Sequence, residues 1–89
     1  MAYQVKLSRR AEKDLASLPR DIRLRIEQSL EEFADDPARG HDVVKVKDSP
    51  KLMPRYRLRI GEYRATFFIH HNILIIVVIT IGKKKNFHY

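Results

Sequence analysis

The sequence contains no cysteine and no tryptophan, and only three glycines and four prolines. Without cysteine there is no disulfide framework, no thiolate zinc site and no thiol nucleophile. Such a chain suits a reducing compartment, so the cytoplasm is the expected location. Sparse glycine and proline exclude collagen-like and low-complexity composition. Long apolar runs are missing too: the most apolar stretch, residues 72–82, falls far short of the ~20 residues a membrane-spanning helix needs. Near the N-terminus, Lys6, Arg9 and Arg10 lie inside a periodic pattern with no apolar segment before them, so no secretory signal is expected. What is present is 89 residues, 44% of them hydrophobic. A chain of this length supports one core, and a single domain over residues 1–89 is expected.

Acidic residues are scarce in one half only. Residues 1–44 carry eight Lys and Arg against nine Asp and Glu, whereas residues 45–89 carry ten against two, Asp48 and Glu62. The second half therefore holds the whole net charge of +7 and more. A basic half of a small domain calls for a polyanion or an acidic protein, and nucleic acid is the commonest such partner. The competing explanation is charge kept for solubility.

Tyr3 to Leu7 alternates apolar and polar residues with the period of a half-buried strand. Ser8 then predicts a helix N-cap, and Ala11, Leu15 and Leu18 mark one apolar stripe. Pro19 and Asp21 suit the start of a second helix, whose stripe is Ile22, Ile26, Leu30, Phe33 and Ala34 and which ends at Asp35-Asp36-Pro37. Residues 38–54 read as loop, with Val43 to Val46 the one short extended piece. Tyr56 to Ile60 and Tyr63 to Ile69 alternate again around Gly61-Glu62, which predicts a hairpin. After a turn at His70-His71-Asn72, Ile73 to Ile81 is β-branched and apolar on both faces, as an interior strand is. The order is β-α-α-β-β-β. It predicts an α+β fold with a two-helix hairpin packed on one face of a mainly antiparallel four-stranded sheet.

Strand alternation sends Arg55, Arg57 and Arg59 to one face, and the partner strand adds Arg64 to it. Like charges set side by side cost roughly 0.2–1 kcal/mol per pair, a strain that an anion relieves. A solvated outer face is the plain alternative. Arginine at all three positions of the first strand counts against it, because the planar fork suits bidentate phosphate contacts. The tail interleaves Lys83, Lys84 and Lys85 with Phe87, His88 and Tyr89, and cations with rings are what single-stranded RNA recognition uses. A frayed terminus is the alternative there. Adjacent His70 and His71 in a turn make poor metal ligands, and neither a metal nor another cofactor is expected. Were this surface to cleave RNA, it would need a base for the 2′-OH, an acid for the leaving oxygen and cations for the phosphorane. His88 is the natural titrating group, and a clustered lysine is the alternative.

The run Tyr56-Arg-Leu-Arg-Ile-Gly-Glu-Tyr63-Arg64, the aliphatic strand after it and Gly82-Lys-Lys resemble the RelE/ParE toxin superfamily of prokaryotic toxin–antitoxin modules. The resemblance extends over essentially the whole chain. It implies a toxin that cuts translated mRNA in the ribosomal A site by 2′-OH attack without metal, silenced by an antitoxin that presents an acidic, amphipathic segment. On that resemblance, Arg57 and Arg59 contact RNA and Arg64 stabilises the scissile phosphate. Lys84 falls where relatives carry an arginine, and lysine there cannot make a bidentate contact. Tyr89 stands as the tyrosine that stacks on a base or assists proton transfer. ParE-like members of the superfamily inhibit DNA gyrase and do not cut RNA, and an inactive nucleic-acid-binding relative is the remaining alternative.

Overall fold

The computed structural model describes residues 3–83. Strand β1 (Gln4–Leu7) leads into helices α1 (Arg9–Ala16) and α2 (Arg20–Asp35), followed by β2 (Val43–Lys45), β3 (Tyr56–Ile60), β4 (Tyr63–His70) and β5 (Ile75–Lys83). The sheet order is β1-β5-β4-β3-β2. β1 runs parallel to β5, and the other three pairings are antiparallel. The α+β class, the helix pair and the element order agree with the sequence reading. The sheet, however, has five strands and is mixed. The additional strand is β2, which lies in the short extended piece of the segment read as loop and becomes a strand by pairing with Tyr56, Arg57 and Leu58. Among the described residues no helix is long and apolar enough to cross a membrane.

Both helices bury the stripes their spacing predicts. Ala11 and Leu15 of α1 and Ile26, Leu30, Phe33 and Ala34 of α2 meet Leu58, Ile60, Tyr63, Ala65, Phe67, Ile76, Val78 and Ile81 of the sheet. Phe67 is fully buried at the centre, its ring 5.0 Å from Phe33 and 5.8 Å from Tyr56 between centroids. The opposite face of the sheet receives neither helix stripe.

Strand β5 starts at Ile75, two residues later than the apolar run predicts. Leu74 has φ +54, in the left-handed region, so residues 71–74 form a four-residue connection between paired His70 and Ile75. β5 also carries a bulge. Thr66 pairs with Thr80 and Phe67 with Val78, so Ile79 is the extra residue. The bulge shifts the alternation: Ile76 and Val78 face the core before it and Ile81 after it, while Thr80 and Gly82 turn outward.

Helix α1 seals the part of β5 that β1 is too short to reach. The Ser8 hydroxyl accepts from the Ala11 N–H at 3.0 Å as the N-cap and donates to the Ile79 carbonyl at 2.7 Å. Asp14 Oδ2 accepts from the Ile81 N–H at 3.0 Å. These contacts satisfy backbone groups that an open strand edge would leave to water. Asp14→Ala is expected to cost about 1–3 kcal/mol, because it strands a partly buried N–H, and Asp14→Asn less, since it keeps an acceptor. Equilibrium denaturation of the two variants checks this; equal stabilities would remove the role.

Candidate nucleic-acid interface

The outer face is built by the pleat. Along β3, Leu58 and Ile60 go to the core, so Arg57 and Arg59 go outward. Along β4, Tyr63, Ala65 and Phe67 go inward, so Arg64, Thr66 and Phe68 share the arginine side. Register sorts these positions into rows across the strands: Arg59, Arg64 and Gly82, then Val44, Arg57, Thr66 and Thr80. Arg59 and Arg64 are direct Cα partners. The exposed Arg55 precedes β3 and continues its ladder, its carbonyl accepting from the Val46 N–H at 2.8 Å.

The two facing guanidiniums are drawn apart. Arg59 Nη1 lies 3.5 Å from Asp42 Oδ2, with both side chains more than half exposed, an ion pair worth at most about 1 kcal/mol. Arg64 is the sole charged side chain buried among the described residues, at 7% exposure. Its Nη1 donates to the carbonyls of Tyr63 at 2.9 Å and Gly61 at 3.1 Å. Those carbonyls are aimed by a two-residue turn in which Gly61 has φ +59, the value that favours glycine at the first central position of a type II′ hairpin. Nη1 is thereby held, and the guanidinium keeps its other donors for a ligand.

Further cations gather at this turn. Arg25 of α2 lies against Gly61, since a Cβ there would meet its Nη2 at 2.9 Å. The sequence reading misses Arg25. The signal was its place three residues after Ile22 and one before Ile26, on the rim of the buried stripe. Lys83 is opposite Tyr63, with its Nζ 6.0 Å from the ring centroid, and so stands on the helix side of the sheet rather than in the arginine rows. The bulge at Ile79 is the reason. Among Arg25, Arg59, Arg64 and Lys83, only Arg59 has a carboxylate partner in the described structure. Lys84, Lys85, Phe87, His88 and Tyr89 lie outside the described residues.

A cavity of about 760 Å³ opens elsewhere, under the C-terminal end of α2, lined by Tyr3, Phe33, Asp36, His41, Tyr56 and His71 among others. It is on the helix side of the sheet and has none of the outer-face arginines. Among the described residues no three His, Asp or Glu side chains gather as metal ligands do.

The arrangement is a set of outward arginines, Arg64 held by backbone carbonyls and Arg59 beside Asp42, suited to gripping an anionic chain. Solved structures share the fold. A chain of the archaeal RelE–RelB complex from Pyrococcus horikoshii superposes with TM-score 0.76 at 24% identity, covering 94% of this chain and 97% of that one. A chain of the RelBE2 toxin–antitoxin complex from Mycobacterium tuberculosis gives TM-score 0.76 at 21% identity, covering 94% and 93%. The isolated Escherichia coli RelE toxin gives 0.64 at 26% identity, covering 92% and 84%. No curated protein sequence matches the chain. Residues 5–86 match the family model described as the ParE toxin of the type II toxin–antitoxin system parDE. With the match running over nearly the whole chain, the protein belongs to this toxin family of the RelE/ParE superfamily.

Proposed function

We propose that this toxin is a ribosome-dependent endoribonuclease that cleaves translated mRNA in the A site. The observation that carries the reading is Arg64 fixed by two backbone carbonyls beside Arg59, on the face that also carries Arg57. Cleavage by 2′-OH attack builds negative charge on the phosphorane, and donors already held in place stabilise it without reorganising. Arg64 takes that role. Arg55, Arg57 and Arg59 hold the flanking backbone, with Lys85 and Phe87 extending the contact and Lys83 adding its charge from the helix side, over Tyr63. The one base and the one acid come from among Lys84, His88 and Tyr89, and no metal is required. An antitoxin with an acidic, amphipathic segment neutralises the basic half, a coupled folding and binding mode.

The experiment is expression in a translation extract with mapping of mRNA 5′ ends. Cuts inside translated codons that depend on ribosomes support the reading. The family's description as ParE favours a second one, inhibition of DNA gyrase. Supercoiling defects with intact message would establish that one instead. Arg57→Ala and Arg59→Ala are each expected to weaken RNA association and lower the slope of log affinity against log salt by about 0.7 for each phosphate that is no longer neutralised. An unchanged slope would remove both residues from the interface.

A further inference from the structure

The arginine rows end at Thr66, yet the outer face continues. Two residues further along β4, ~7 Å at strand rise, the alternation brings Phe68 outward, and His70 follows it. Phe68 is opposite Val77 of β5, which is in turn opposite Lys6 of β1. His70 is opposite Ile75, itself opposite Gln4. On the other side, the ladder that pairs Tyr56 with Phe67 sets Arg55 beside Phe68. This part of the face thus has an aromatic centre, an aliphatic floor of Val77 and Ile75, and a cation on each flank. Lys6 and Arg55 both reach solvent. None of the outward strand positions is Asp or Glu.

The His70 ring meets Phe68 edge-on, with centroids 5.2 Å apart and planes at 79°, a favoured geometry for an aromatic pair, and both rings are only partly buried. Phenylalanine and valine on an uncovered sheet face cost solubility, and lysine and arginine beside them bring charge that no acidic residue in the Phe68 and His70 rows neutralises. One occupant answers both features: a flat apolar ring attached to an anionic backbone. An unpaired nucleotide is such a group, because every base has a face to stack and a phosphate on each side.

We propose that Phe68, paired with His70 and flanked by Lys6 and Arg55, is a stacking subsite for an unpaired ribonucleotide base, on the strand whose phosphates Arg57, Arg59 and Arg64 hold. The proposal rests on the RNA-cutting reading above and extends its footprint from phosphate grip to base contact. Continuity along β4 supports it: Thr66 stands between Arg64 and Phe68 on the same outward alternation, and the bulge at this level belongs to β5. The subsite accepts any base and adds affinity, not sequence choice.

The test uses the full chain and a short single-stranded 2′-O-methyl RNA, which lacks the attacking hydroxyl, in equilibrium binding at several salt concentrations. Phe68→Ala is expected to weaken binding by about 5- to 150-fold, the range measured for one stacked base, with the salt slope unchanged. Phe68→Leu keeps an apolar side chain for folding and is expected to lose nearly as much, while Phe68→Trp retains binding. Lys6→Ala is expected to lower the salt slope by about 0.7. An RNA with abasic residues along its length should bind the parent and Phe68→Leu equally. If Arg57→Ala and Arg59→Ala weaken binding but both folded Phe68→Leu and Phe68→Ala bind like the parent, the subsite is wrong and the phosphate grip stands. If none of these variants changes RNA affinity, both readings fall. If Phe68→Leu loses only binding to an acidic peptide, the strip belongs to a protein partner and the proposal is overturned.

Discussion

Arg64→Lys is expected to lower ribosome-dependent cleavage by about 10²–10³-fold, the usual cost of removing one fixed donor from a developing oxyanion. Lysine keeps the charge but cannot reproduce the planar fork that bonds the Tyr63 and Gly61 carbonyls while leaving donors for phosphate. The choice of lysine over alanine matters. Arg64 is buried, and Arg64→Ala would leave two turn carbonyls short of a donor, so reduced activity would be mixed with reduced stability. Mapped 5′ ends from a translation extract, quantified alongside thermal melts of the same preparations, separate the two effects. Parent-level cleavage by a folded Arg64→Lys would mean that Arg64 only ties the hairpin together.

The largest stability effect is expected at Phe67. This ring is fully buried between Phe33 and Tyr56 and has no polar atom, so truncation to alanine removes transfer free energy and leaves a cavity, at a cost of about 3–5 kcal/mol. For a domain of this size that lowers the melting temperature by roughly 12–40 °C, enough to leave much of the chain unfolded at physiological temperature. Phe67→Leu refills most of the volume and is expected to recover over half the loss. Calorimetry of the two variants decides the matter. A loss below about 1 kcal/mol for Phe67→Ala would show that the core does not depend on this ring.

How far the sequence could be read depended on whether a pattern was local. The Ser8 cap, the α2 stripe and the β3–β4 hairpin follow from neighbours within a few residues, and all are present in the structure. The placement of Arg57, Arg59 and Arg64 on one face follows from the same alternation. What lay beyond reach depended on partners distant in the chain. β2 is a strand only because β3 pairs with it, and the parallel pairing of β1 with β5 leaves no periodic signature. The burial of Arg64 needed the turn carbonyls of Gly61 and Tyr63 to be placed first. The start of β5 was obscured because Ile73 and Leu74 belong to the turn despite their strand-forming composition. Its bulge was hidden for a related reason: from Ile73 to Ile79 the run is apolar at every position and has no phase to slip.

That extra residue at Ile79 also governs how this chain is aligned with others. Thr80, Gly82 and Lys83 keep their places against Thr66, Arg64 and Tyr63 whether or not a residue is inserted upstream. A relative whose last strand runs without a kink would lack one position here and still superpose on both sides of the gap. Equivalences for everything after Thr80 therefore have to be counted back from the hairpin. Counted forward from Ile75, each would be off by one, and Lys83 would be matched to a residue on the wrong side of the sheet.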